Sequence, residues 1–182
     1  MKQTDIHIRA AADVDMEEVQ QIYAAEVERF TASFEEVAPT VDEMKARRAA
    51  ILAAGCRFLV AVRSGKVVGF AYSGPYRTRS AYRFTVESTV YVAPSAQRAG
   101  VARRLMMRLI TECEQAGFRQ MIAVIGDENA ASVAFHAAIG FSFAGKLERV
   151  GFKFGRWLDT TTMQRSLGPP IRYDRSRSGQ DR

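Results

Sequence analysis

A chain of 182 residues with 47% hydrophobic and 25% charged side chains suits one globular domain around a single core. No apolar run approaches the roughly 20 residues that span a bilayer, and the opening MKQTDIHIRA has no secretory leader, so no membrane role and a cytoplasmic location are expected. The formal net charge of +6 and pI of about 9.6 suit a polyanionic ligand, but the basic residues form no run interleaved with aromatics, which weighs against nucleic acid.

Ile6 to Arg9 alternates as a short first strand. Asp13 or Asp15 can cap a helix from about Met16 to Phe30, with Val19, Ile22, Tyr23 and Val27 on one face. After the polar loop TASFEEVAP, Thr40 and Glu43 have the spacing of a capping box, and Gly55 is placed to end the helix they open. RFLVAVR and VVGFAYS, joined through Ser64, Gly65 and Lys66, read as a β-hairpin. The loop GPYRTRSAYR leads into FTVESTVYV, a β-branched and aromatic strand that Pro94 ends. From Gly100 the pattern turns helical, with Val101, Leu105, Leu109 and Cys113 recurring on one side as far as Gly117. A buried strand QMIAVI, a helix from about Asn129 to Ile139, and strands near Phe141–Val150 and Lys153–Gln164 complete the pattern.

That order predicts an α/β (α+β) domain over residues 1–167, with a mixed, largely antiparallel sheet of about seven strands and about four helices. The basic tail 168–182 has few core-forming residues and is expected to be disordered. Cys56 and Cys113 have neither ligand nor redox spacing, so both are expected reduced and buried.

The most informative stretch is TVYVAPSAQRAGVARRLM, a hydrophobic strand that enters a tight loop and then a helix. Gly100 and Ala102 leave the backbone unshielded, the helix N-terminus adds unsatisfied N–H donors, and Arg98, Arg103 and Arg104 add charge. Such a site suits a pyrophosphate, although an ordinary strand-to-helix turn satisfies the same local pattern. The Gly-Lys-Ser/Thr ending of a Walker loop is absent, and so is the Gly-x-Gly-x-x-Gly dinucleotide fingerprint.

Gln97, Arg98, Ala99, Gly100, Val101 and Ala102 resemble the Gln/Arg-x-x-Gly-x-Gly/Ala signature of the GNAT acetyltransferase superfamily, and the element order is similar to that fold. TASFEEVAPT, AYSGPYRTRSAYRFTVESTVYV, AVIGDENAASVAFHAAIGF and GFKFGRWLD resemble one branch, the phosphinothricin and methionine sulfoximine acetyltransferases. The resemblance implies acetyl-CoA as cosubstrate, no metal, a homodimer, and transfer to the α-amino group of a small amino-acid-like acceptor in a ternary complex.

It also implies roles for single residues. Glu87, within TVES, matches the branch's base and would take the ammonium proton of the acceptor. Val90, Tyr91 and Val92 would pair their backbones with the pantetheine arm, one N–H also meeting the oxyanion. Gln97 to Arg103 would hold the pyrophosphate, and Asn129 and Ser132 the arm of coenzyme A. His136, about two turns after Asn129, replaces the tyrosine of many relatives and would protonate the thiolate, hydrogen-bond substrate or cofactor, or serve only as a satisfied structural histidine. Arg77, Thr78 and Arg79 would meet the acceptor's anionic groups, with Phe34 and Tyr82 as walls and Ser88 and Thr89 as hydroxyls. Arg83 departs from relatives that carry an acidic residue or glycine there. A protein N-terminus or a polyamine is the alternative acceptor, and an acetyl-CoA-binding sensor without catalysis is the alternative class.

Overall fold

The computed structural model describes residues 6–127 and 129–169; residues 170–182 of the tail lie outside them. The elements, in chain order, are β1 (His7–Ala10), α1 (Met16–Arg29), α2 (Val41–Ala53), β2 (Phe58–Arg63), β3 (Lys66–Pro75), β4 (Thr85–Val92), α3 (Val101–Gln115), β5 (Gln120–Gly126), α4 (Ala130–Ala138), β6 (Ser142–Lys153) and β7 (Arg156–Ser166). Seven strands and four helices match the expected pattern, and boundaries differ by a few residues.

The capping box at Thr40 forms as its spacing predicts: Glu43 N–H donates to Thr40 Oγ1 at 3.2 Å, and Thr40 N–H donates to Glu43 at 2.6 Å. The expected cap of α1 does not form. Asp15 instead accepts from Arg9 at 2.6 and 2.7 Å and from Ala12 N–H at 2.7 Å, and Asp13 pairs with Arg48 at 2.7 Å. Both carboxylates therefore tie α1 to neighbouring elements, because guanidinium partners outcompete a neutral helix end.

The strands run β1-β2-β3-β4-β5-β7-β6, antiparallel throughout except for the β4–β5 pair. That parallel pair follows from the chain: α3 carries it from the end of β4 back to the start of β5. One face of the sheet buries Leu59, Ala61, Val68, Ala71, Val86 and Met121 against Leu105, Met106 and Leu109 of α3. The opposite face buries Phe58, Val60 and Phe70 against Met16, Val19, Tyr23 and Val27 of α1 and Met44 of α2. Cys56 and Cys113 are free and buried as expected, and burial pushes the Cys113 thiol up to about 11.

Gly69 lets α3 approach the sheet closely. A Cβ there would stand 3.0 Å from Tyr91 O, 3.2 Å from Val101 Cγ1 and 3.3 Å from Leu105 Cδ1. Gly69→Val is therefore expected to lower stability by about 1–3 kcal/mol through overpacking. Thermal melts of the purified variant against the parent check this, and an unchanged melting temperature would show that α3 can retreat freely.

Candidate active site at the fork between β4 and β5

β4 and β5 pair only from Thr85–Gln120 to Ser88–Ala123. Beyond that point β4 continues along β3 to the Val92–Gly69 pair, and β5 continues along β7 to Gly126–Thr160. Each strand follows its antiparallel neighbour, so a gap opens between the two.

The hydrogen-bond alternation decides which groups face that gap. Tyr76 N–H donates to Thr85 O and Ala93 N–H to Val68 O, so the odd-numbered residues of β4 bond β3. Val90 and Val92 therefore turn their N–H and C=O toward the gap, whereas Tyr91 turns its backbone to β3. Leu167 N–H donates to Arg119 O and Asp127 N–H to Asp159 O, which sets the same alternation on β5 and leaves Val124 and Gly126 facing the gap. Ser88 Oγ donates to Ile122 O at 3.2 Å and closes the apex of the fork.

The fork opens into a cleft of about 540 Å³. Glu87, Thr89 and Tyr91 of β4, Tyr72 of β3 and Tyr23 of α1 line one side; Val124, Ile125 and Gly126 of β5 and Thr160 of β7 line the other. Ala32, Ser33, Phe34 and Glu35 cross it from the α1–α2 loop. Burial raises the Glu87 carboxyl above its ordinary value, and the Arg77 cation partly opposes that shift. Tyr23 is pushed up to about 12, chiefly by burial, and its hydroxyl lies 2.9 Å from Ser33 Oγ. Glu35, by contrast, is held by both arms of Arg47 at 2.7 and 3.2 Å.

α4 supplies the far wall. Asn129 caps it, accepting from Ser132 N–H at 2.9 Å, and Asn129, Ser132 and His136 all line the cleft. His136 Nδ1 lies 2.8 Å from Ser132 O, and a carbonyl can only accept, so Nδ1 carries the hydrogen. Burial lowers the imidazole's affinity for a second proton. The ring is then neutral at pH 7, with Nε2 an acceptor, and it is packed edge-on between Phe135 and Phe141.

The loop expected to hold the pyrophosphate lies at the other end of β4. Arg98 (φ 61°) and Gly100 (φ 76°) are both left-handed, and Gly100 is the N-cap of α3. Arg104 N–H makes the first helical bond, to Gly100 O, so the N–H groups of Val101, Ala102 and Arg103 precede the ladder. Arg98, Ala99, Gly100 and Arg103 are exposed around that terminus.

Glu87, Ser88, Thr89, Val90, Tyr91, Phe34, Asn129, Ser132 and His136 are thus brought together in one cleft. Arg77, Thr78, Arg79 and Tyr82 are not among its lining; they are exposed, with Arg77 stacked 5.0 Å over Tyr76 and Tyr76 edge-on to Tyr82. Sequence reasoning missed Tyr23, Tyr72, Ser33, Glu35 and Thr160 as lining residues. Tyr23 did carry a signal, a hydroxyl on an otherwise apolar helix face; Thr160 carried none.

The arrangement suits acyl transfer: a half-buried carboxylate on a strand with open backbone donors, and a helix N-terminus beyond the far end of that strand. Residues 8–162 match the acetyltransferase (GNAT) domain family, and the chain belongs to that family. It is 53% identical over 161 residues to phosphinothricin N-acetyltransferase of Alcaligenes faecalis, covering 88% of this chain and 82% of that protein. It is 38% identical over 160 residues to L-methionine sulfoximine/L-methionine sulfone acetyltransferase of Salmonella typhimurium, covering 88% and 94%. The crystal structure of a phosphinothricin acetyltransferase from Sinorhizobium meliloti in complex with AcCoA superposes with a TM-score of 0.87 at 41% identity, over 90% of this chain and 89% of that one. The chain is accordingly an acetyltransferase, and its sheet and four helices are the GNAT fold anticipated from the sequence.

Because the folded pKa of Glu87 is raised, the native state holds that proton more tightly than the unfolded chain, and stability falls as pH rises through both values. Glu87→Gln is therefore expected to melt above the parent at pH 7, with the difference shrinking toward about pH 4. Paired melts at the two pH values check this; a variant less stable at pH 7 would mean that the carboxylate is stabilised by a partner.

Proposed function

We propose that the chain moves an acetyl group from acetyl-CoA to the α-amino group of a small acceptor of the phosphinothricin, methionine sulfone or methionine sulfoximine type. The observation that carries this reading is Glu87, its affinity for a proton raised by burial, at the closed end of a fork whose free edge is backbone donors. The names of the relatives supply the acceptor class.

Acetyl-CoA fits the open edge. Its pantetheine amides pair with Val90 and Val92, its pyrophosphate sits on Gln97 to Arg103, and Asn129 and Ser132 meet the arm from α4. The acceptor enters from the opposite side, under Ser33 and Phe34 and against Tyr72 and Thr89. Arg77, Thr78 and Arg79 stand outside the cleft, where the two arginines meet the acceptor's acidic end before and during entry.

Glu87 takes a proton from the ammonium, directly or through water, which frees the nitrogen lone pair. The nitrogen attacks the thioester carbonyl, and the N–H of Val90 or Val92 meets the developing oxyanion. The carbon–sulfur bond breaks, the thiolate leaves, the nitrogen gives its second proton to solvent, and the neutral acetamide forms. Of the roles the sequence left open for His136, its tautomer favours hydrogen bonding through Nε2, to a ligand or within the fold, over donating the thiolate's proton; that proton then comes from solvent. No step calls for a metal. We place the enzyme in the cytoplasm as a homodimer built on the outer strand β6 and its hairpin, where Phe143, Leu147, Phe152, Phe154 and Trp157 are each more than half exposed.

Release of CoA thiol from acetyl-CoA, measured against methionine sulfone, methionine sulfoximine, phosphinothricin, spermidine and short peptides, tests the acceptor. Turnover of the tetrahedral amino acids alone is expected, and turnover of only peptide or spermidine would replace this acceptor. Glu87→Gln is expected to lose at least about 10²-fold in kcat/KM at neutral pH. In the parent, kcat/KM falls as pH drops through a value above the ordinary glutamate range of about 4.3, and this limb vanishes in the variant. Full activity in Glu87→Gln would remove the base.

A further inference from the structure

Residues 30–35 cross the acceptor side of the cleft with no helix or strand of their own. Their shape must come from what they attach to. Thr31 Oγ1 donates to Asp127 at 2.8 Å, and the Phe34 ring lies over Gly126 and Gly151, where a Cβ on either glycine would overlap it. The remaining attachment comes from the end of β6. Lys153 is only 2% exposed, and its Nζ donates to Phe30 O at 3.0 Å and to Ser33 O at 2.7 Å.

A buried ammonium is costly, and an apolar side chain of similar length would fill the space without that cost. Burial lowers the amine's affinity for its proton, and Glu26, Glu36 and Glu35 support the charge through their fields. The hydrogen-bond partners, however, are main-chain carbonyls, and they stand at the two ends of one turn. Three donors on a single point can gather such carbonyls, and no apolar substitute can do so. The residue is 120 positions away from Ser33, and both of these hydrogen bonds reach the α1–α2 loop rather than β4 or α3.

We infer that Lys153 is a positioning residue that holds the turn 30–33 closed over the acceptor end of the cleft, so that Ser33 and Phe34 present a preformed wall to the acceptor. This rests on the acceptor entering from that side, as proposed above. Preorganisation of this kind acts on acceptor binding and leaves the cosubstrate alone.

The test is steady-state kinetics of Lys153→Met and Lys153→Gln with methionine sulfone and acetyl-CoA, alongside calorimetric binding of acetyl-CoA and thermal melts. The Met variant is expected to raise the acceptor KM at least about tenfold while its acetyl-CoA affinity stays within about twofold. The Gln variant, which keeps N–H donors without charge, is expected between it and the parent. A folded Met variant with the parent's acceptor KM overturns the inference. So does loss of acetyl-CoA binding or of a cooperative melt in both variants, because Lys153 would then serve the fold as a whole. If the parent itself turns over no amino-acid acceptor, the acceptor reading fails, and the role of Lys153 fails with it; if only the variants are unaffected, Lys153 alone fails.

Discussion

Everything distinctive about this molecule depends on where the pairing of β4 with β5 stops. Two strands that remained bonded along their length would seal the sheet and leave nowhere for a ligand. The Ser88–Ala123 pair is the last, and beyond it Val90 and Val92 face Val124 and Gly126 across open space. Backbone N–H and C=O groups in a protein interior are almost always paired, so a strand edge exposed inside the domain is a standing demand for an extended, amide-bearing ligand. In the function proposed above, the pantetheine arm of coenzyme A would answer that demand with the same groups a neighbouring strand would have used.

The fork also sets the electrostatics. Its apex is closed by Ser88 on one side of the sheet, and on the other side Glu87 shares its face with Thr89, Tyr91 and the neighbouring Tyr72. Burial raises the proton affinity of that carboxylate. The change makes it a better base toward an ammonium and a less comfortable residue for the fold. Glu35, lining the same cleft, has its charge met by Arg47. Two carboxylates in one cavity are thus given different electrostatic settings, a pattern that would suit one to structure and the other to the proposed proton transfer.

The acceptor side is assembled from pieces far apart in the chain. The α1–α2 loop has no regular structure, yet Tyr23, Lys153, Asp127 and two glycines hold it. A wall built this way can be fixed in shape while the residues on it change, which suits a fold whose members take different amines. Phe154, exposed in the β6–β7 hairpin, shares a second pocket with Phe30, Thr31 and Ala32 of that loop, so a subunit contact there would bear on this side of the cleft.

The sequence by itself marked the elements, the glycine-bearing loop that opens α3 and the carboxylate proposed as the base. Those rest on local physics: the period of apolar residues, the Thr40–Glu43 box, the unshielded Gly100 at a helix start, and one acidic residue inside a β-branched strand. The tertiary structure decided the rest. It turned Asp13 and Asp15 from helix caps into ion pairs, because Arg48 and Arg9 arrive from elsewhere. It assigned the open backbone to Val90 and Val92 rather than Tyr91, because hydrogen-bond parity exists only once β3 is alongside. It brought Tyr23, Tyr72 and Thr160 to the cleft and left Arg77, Thr78, Arg79 and Tyr82 outside its lining. No local pattern marks Lys153, whose partners lie at the other end of the chain. Contacts between residues more than a hundred positions apart leave no periodicity to read, and only the assembled sheet brings them together.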